Sequence, residues 1–196
     1  MTPTLEEFLR EETQKRGLRF YFDTTVILDL LRPSRRPGAP SSVELLDLAI
    51  ANQWECVSSY FALMEALDIE QENMWFRKKI RVGEDVDSLL RRRNKRDPLT
   101  PQAIGRVESQ LGRFINEVQD FISWVVLDEA GWDETLELAI RNNIRAPDCI
   151  HVAAAMTANC NMFITSDEVV GDLAEHYIRT ANPIEMIAAL RRITST

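Results

Sequence analysis

Four short apolar runs constrain the fold most: LRFYF at 18 to 22, WECVS at 54 to 58, FISWVVLD at 121 to 128 and NMFITSD at 161 to 167. Each is too short for a helix, is rich in aromatic and β-branched residues, and is separated from the next by a stretch with helical periodicity. Strands joined through helices lie parallel and are connected by right-handed crossovers. A parallel sheet must be covered on both faces. The expected fold is therefore α/β, a three-layer sandwich with a central parallel sheet. HYI at 176 to 178 is a candidate fifth strand.

Local signals place the helices. Leu5, Phe8 and Leu9 recur at helical spacing within 4 to 16, and Gly17 supplies a stop. TTVILDLL follows Asp23 and ends at Pro33. The stretch PSRRPGAP, 33 to 40, reads as a loop, after which Ser41 and Glu44 form a capping box for the helix VELLDLAIAN. Ser58 or Ser59 caps the helix beginning YFALMEALDIE, which extends past residue 70. Thr100 and Pro101 open a helix reaching about Gln119, and others cover 132 to 143, RAPD through HVAAAMTAN, and 183 to 193. The chain reads as a single domain over 1 to 196 with a helical, locally basic insertion at about 77 to 119.

Charge narrows the function. With 23 Lys and Arg against 31 Asp and Glu, the net charge of −8 argues against binding a polyanion by bulk positive charge, so any such ligand must be gripped locally. The local candidate is a basic run in which Arg77, Lys78, Lys79, Arg81, Arg91, Arg92, Arg93, Lys95 and Arg96 face only Glu84, Asp85 and Asp87. It is either a phosphate clamp, with Trp75 and Phe76 nearby for base stacking, or a solvated helix face. The opening MTPTLEEFLREE lacks the features of a signal peptide, and no apolar run is long enough to span a bilayer, which points to the cytoplasm. Cys56, Cys149 and Cys160 form no CxxC pair and read as small buried apolar residues of a reducing compartment.

Four carboxylates interrupt apolar surroundings. Asp23 and Asp167 stand where strands stop, Glu65 sits alone inside YFALMEAL, and Asp148 opens a helix between Pro147 and Cys149. Ligands of a parallel α/β sheet bind beyond the carboxyl ends of its strands. None of the four segments carries a neighbouring Lys, and a carboxylate among apolar groups is costly unless paired or bound to a cation. Oxygen ligands without paired His or Cys favour hard ions, Mg²⁺ or Mn²⁺. Each acid also has a plainer reading. Asp23 and Asp167 can be helix N-caps, Asp148 a favourable first-turn charge, and Glu65 an exposed residue on an amphipathic helix. His151 reads as a packed, hydrogen-bonded residue, and His176 has less context still.

FYFDTTVILDLL at 20 to 31, SSYFALMEAL at 58 to 67, APDCIHVAAAM at 146 to 156 and FITSDEVV at 163 to 170 together resemble the PIN-domain family, which includes VapC-type toxin ribonucleases. The resemblance covers most of residues 18 to 179. It implies a magnesium site for cutting RNA, built from Asp23, Glu65, Asp148 and Asp167. The neighbours that brace such a site fall on Thr24 or Thr25 and on Thr165 or Ser166, with Glu168 as an auxiliary acid. Thr25 stands where the family usually has Asn or Ser. The resemblance further implies a small antitoxin partner and a homodimer. The possible RNA contacts are Arg77, Lys78, Lys79, Arg91, Arg92, Arg93, Lys95 and Arg96.

The reading that follows is a metal-dependent endoribonuclease. A PIN-like module that binds RNA or protein without cutting is the alternative. A phosphatase is excluded because Thr25 replaces its second Asp, and a receiver domain because TSDEVV offers no lysine. There is no Ser, His and Asp arrangement, glycine-rich phosphate loop or HExxH motif.

Overall fold

In the computed structural model, which describes residues 3–33, 36–93, 96–142 and 144–194, the first apolar run becomes β1 (Arg19–Phe22). Its alternation divides the interior. Phe20 and Phe22 enter one core with Leu9, Leu45 and Met186, whereas Tyr21 enters the other with Leu138, Val152 and Phe163. All of these are buried, so both faces of the sheet are covered.

β1 pairs in parallel with β2 (Glu55–Ser59) on one side and with β4 (Met162–Ile164) on the other. β3 (Ile122–Val125) extends the sheet beyond β2, and β5 (Arg179–Ala181) extends it beyond β4. The strand order is β3-β2-β1-β4-β5. The chain leaves β1 toward β2 and returns on its other side at β4, so the topology switches between β1 and β4. Crevices at such switch points are where open α/β sheets bind ligands.

One face carries α1 (Leu5–Lys15), α2 (Thr24–Leu31), α3 (Ala39–Ala51), α4 (Tyr60–Arg81), α6 (Pro101–Val118) and α10 (Pro183–Thr194). The other carries α7 (Glu129–Asn142), α8 (Ala146–Thr157) and α9 (Glu168–Ala174). The short α5 (Val86–Arg92) follows α4. The excursion between β2 and β3 thus consists of the end of α4, α5 and α6, with Thr100 capping α6 as its sequence predicts. The three cysteines are free and buried, also as expected. No helix among the described residues is long and apolar enough to cross a membrane.

Several boundaries differ from the sequence reading. The capping box at Ser41 and Glu44 does not form. α3 starts at Ala39 with Gly38 at its cap, and Pro40 sits in the first turn, where its missing N–H costs nothing. The Ser42 hydroxyl donates instead to Asp29 (2.7 Å), and Glu44 accepts from Arg191. β3 and β4 are shorter than their apolar runs. β3 pairs only with β2, and beyond it Val126 is exposed, while beyond β4 the chain turns to let Asp167 cap α9. The fifth strand starts immediately after HYI rather than within it. The N–H groups of Tyr177 and Ile178 both donate to the Ala174 carbonyl, so the chain is still turning off α9 there.

Candidate functional site

Asp23 ends β1 and caps α2. Its Oδ1 accepts from the Thr25 amide (2.8 Å), the Thr25 hydroxyl (2.6 Å) and the Val26 amide (3.3 Å), and its Oδ2 from the Thr165 hydroxyl. Asp23 is buried, and that burial raises its pKa above the ordinary carboxylate value, only partly offset by the His151 charge and the bonds from Thr165 and Thr25. The same hydroxyls tie the switch point together. Thr165 Oγ1 accepts from the Asp167 amide (2.9 Å), and Thr25 Oγ1 accepts from the Ser166 amide (2.9 Å). Asp167 is half-buried and caps α9 through Oδ1, which accepts from Val169 (2.9 Å) and Val170 (3.3 Å). Ser166 and Glu168 are exposed beside it.

Glu65 lies in the second turn of α4, which Ser59 holds by accepting the Ala62 amide. Its Oε2 accepts from the Thr24 hydroxyl (2.6 Å) and from His151 Nε2 (2.8 Å). Burial pushes the Glu65 pKa up, but the hydrogen bonds from His151 and Thr24 outweigh it and hold the group below its usual value. His151 is itself buried, with Nδ1 3.0 Å from the Tyr21 hydroxyl. Burial raises the Tyr21 pKa, so this hydroxyl stays protonated, and it donates to Ser59 (2.9 Å). The plain reading of His151 holds, and the residue also fixes the orientation of Glu65.

Asp148, in the first turn of α8, is buried against Arg145. Arg145 Nε and Nη2 approach its two oxygens at 3.2 and 3.1 Å. The Arg145 side chain is 78% exposed, and its pKa is raised first by the bond and charge of Asp148 and then by the charges of Asp167 and Glu65. Thus Asp148, Asp167 and Glu65 share the field of one guanidinium, while Thr24 and Thr165 link Glu65 and Asp167 to Asp23. All four acids lie toward the carboxyl end of the sheet, without converging on one point.

Thr24, Thr25 and Thr165 are among the bracing neighbours that the family resemblance implies, whereas the Arg145 and His151 partnerships are not, although the i, i+3 spacings of Arg145, Asp148 and His151 place them along one side of the helix. The donor chemistry of the four acids fits a hard divalent cation, with Asp167 Oδ2 turned away from its cap bonds. As placed, no three His, Cys, Asp or Glu side chains among the described residues converge as ligands. Arg145 supplies balancing positive charge beside Asp148 instead. Thr165, Ser166, Asp167 and Glu168 also line a cleft of about 480 Å³, together with Asp172 and Glu185. Asp23, Glu65 and Asp148 do not line it.

The basic run divides. Lys79 pairs with Glu84 and Asp97, Arg92 with Glu84, Arg93 with Glu72 and Arg96 with Asp68, so these four serve the structure of the excursion. Arg77, Lys78 and Arg91 are exposed, and Lys95 lies outside the described residues. Trp75 is buried and packs edge-on against Phe76 at 5.2 Å, so it is not presented for base stacking.

Neither a family model nor a curated protein matches the chain. Solved structures do. VapBC2 from Rickettsia felis, bound to a DNA fragment from its promoter, matches with a TM-score of 0.54 at 11% identity, covering 84% of this chain and 98% of that one. FitAcB from Neisseria gonorrhoeae matches with a TM-score of 0.51 at 16% identity, with coverage of 84% and 98%. The fold is PIN-like. At these identities the likeness is one of fold alone, and the site must be argued from its own residues.

Proposed function

We propose that this PIN-like protein is a metal-dependent endoribonuclease of the VapC toxin type, hydrolysing RNA phosphodiester bonds at the β1/β4 switch point. One observation carries the reading: acids from four separate segments lie toward a single end of the sheet, where Thr165 joins Asp23 to the turn before Asp167, Thr24 and His151 hold Glu65, and the charge of Arg145 reaches Asp148, Asp167 and Glu65. A stability-driven fold has no need to gather four carboxylates where they repel one another.

Asp23, Glu65, Asp148 and Asp167 would hold Mg²⁺ or Mn²⁺, which when bound polarises a phosphoryl oxygen and activates water for in-line attack. The chain's own residues do the positioning. Thr25 and Thr165 lock the Asp23 carboxylate, and Thr24 with His151 locks Glu65, as preorganised sites require. Arg145, long and exposed, neutralises Asp148 and can swing outward without disturbing the core. The expected products carry 5′-phosphate and 3′-hydroxyl ends. The toxin reading adds a homodimer and a small antitoxin whose tail places an Arg among the carboxylates, much as Arg145 sits beside Asp148.

The Arg145–Asp148 pair also favours a second reading, a module that binds RNA without cutting it, because it satisfies Asp148 internally. The test is cleavage of transfer, ribosomal and unstructured RNAs with Mn²⁺ or Mg²⁺ against EDTA, beside Asp148→Asn. Metal-dependent cutting lost in the variant supports the nuclease. RNA bound but uncut in both samples supports the binding module.

A further inference from the structure

A second cleft lies away from the four acids. It occupies about 910 Å³ between the C-terminal part of α4 and α6. Arg77, Lys78 and Arg81 line it from α4, and Arg106 and Arg113 from α6, all of them exposed. The ion pairs of this region involve other cations: Arg32 with Glu70, Lys79 with Glu84 and Asp97, and Arg96 with Asp68. None of the five forms an ion pair among the described residues. The acid in the lining, Asp97, is already engaged by Lys79 at 2.8 Å, whose hydrogen bond lowers its pKa. Trp75 adds a buried indole N–H that lies near Asp97 but lacks a hydrogen-bond partner.

Five unpaired cations gathered in a protein of net charge −8 repel one another unless something negative enters. Arg77 and Arg81 are spaced about 6 Å along their helix and Arg106 and Arg113 about 10 Å along theirs, so the charges form tracks on two walls rather than a point site. Tracks suit a chain of phosphates, and the arginine fork is built for phosphate oxygens. Glu65 lies roughly 20 Å back along α4 from these cations. An occupant is therefore held several nucleotides from anything bound at the acidic end.

We propose that the α4–α6 cleft is a single-stranded RNA groove that grips backbone phosphates at a distance from the scissile bond. This rests on the ribonuclease reading, but its test does not need cleavage. A fluorescein-labelled, mixed-sequence RNA is titrated in EDTA over a range of KCl concentrations, using the full chain and its Arg77→Gln, Arg81→Gln and Arg106→Gln variants. Each substitution lowers the log–log salt slope by about 0.7, and the triple variant binds about tenfold or more weakly, independent of RNA sequence. Arg141→Gln removes the same charge on α7 and leaves slope and affinity unchanged. Matching thermal melts verify that the exposed substitutions leave the fold intact.

Parental affinity and slope in the triple variant would overturn the assignment, as would displacement of the RNA by poly-glutamate but not by poly-uridylate, which would give the cleft to an acidic protein. The two readings separate cleanly. If the triple variant still binds and cuts, the groove falls and the nuclease stands. If it loses binding in EDTA while the parent never cuts with Mn²⁺, the groove stands and the nuclease falls.

Discussion

Replacing Thr165 by valine keeps the shape of the side chain and deletes one oxygen. That oxygen donates to Asp23 Oδ2 and accepts the Asp167 amide, joining the tip of β1 to the turn after β4. Thr165 is 4% exposed, so water cannot easily replace it. A hydrogen bond to a charged group contributes about 1.5–3 kcal/mol, and leaving the Asp167 amide short of a partner adds up to about 1 kcal/mol at a half-buried position. The expected loss is roughly 2–4 kcal/mol, which lowers Tm by roughly 5–15 °C in a chain of this length. In an Asp23→Asn background the same bond is neutral to neutral and about half as strong, so the valine should cost about 1 kcal/mol less there. Urea melts of the parent, both single variants and the double variant, at neutral pH in EDTA, close the cycle. A Thr165→Val loss below about 0.5 kcal/mol, or strict additivity with Asp23→Asn, would refute the claim that this hydroxyl holds Asp23.

Other outcomes follow from the same site. The folded pKa of Asp23 is raised, so its contribution is intact below the unfolded value and lost as pH rises through the folded one. Asp23→Asn should therefore gain on the parent in urea midpoint as pH rises, and a gap that shrinks instead would be contrary evidence. Glu65 has the opposite sign. Its pKa is lowered, so Glu65→Gln should be less stable than the parent at neutral pH, with the difference closing as pH falls through the folded value. Mn²⁺ should raise Tm by relieving repulsion among the acids, and Arg145→Ala should tighten Mn²⁺ binding in calorimetric titrations by freeing Asp148. An unchanged melt with Mn²⁺ would count against any metal site. Gly131→Ala should cost about 1–2 kcal/mol in a denaturant melt, since its methyl would stand 2.7 Å from Leu127 Cδ2 and 3.1 Å from Thr157 Oγ1, wedging α7 from α8.

The sheet was legible because four of its strands carry dense aromatic and β-branched runs whose burial on both faces leaves no other use for them. β5 was not, because Arg179, Thr180 and Ala181 are too few and too polar to stand out, and they form a strand only by pairing beside β4. α9 was missed for a similar reason: its seven residues bury only Val170, Leu173 and Ala174. The four acids could be found because each breaks an apolar string, a one-dimensional signal. Which acid each bracing threonine serves could not be read the same way, since Thr24 meets Glu65 across 41 positions and Thr165 meets Asp23 across 142, separations only the folded topology closes. The basic run shows the converse limit. Composition gathered it as one feature, yet Lys79, Arg92, Arg93 and Arg96 are spent on acids of the excursion, and the cleft draws Arg106 and Arg113 from a helix that composition alone does not mark.

Helix cap and functional acid are not rival descriptions of Asp23 and Asp167. A cap bond needs one carboxylate oxygen, and in both residues it falls on Oδ1. Because the amides of the first helical turn point along the helix axis, capping also fixes the direction of the second oxygen. In Asp23 that oxygen meets Thr165, and in Asp167 both cap bonds fall on Oδ1 and leave Oδ2 out of the cap. An Asp that caps a helix directly after β1, or after the short turn that follows β4, therefore keeps one carboxylate oxygen out of the cap, and α2 and α9 do so beside adjacent strands. The local rule that makes each Asp look ordinary in isolation is what would let the pair, set side by side by the pairing of β1 with β4, form one half of the proposed acidic site.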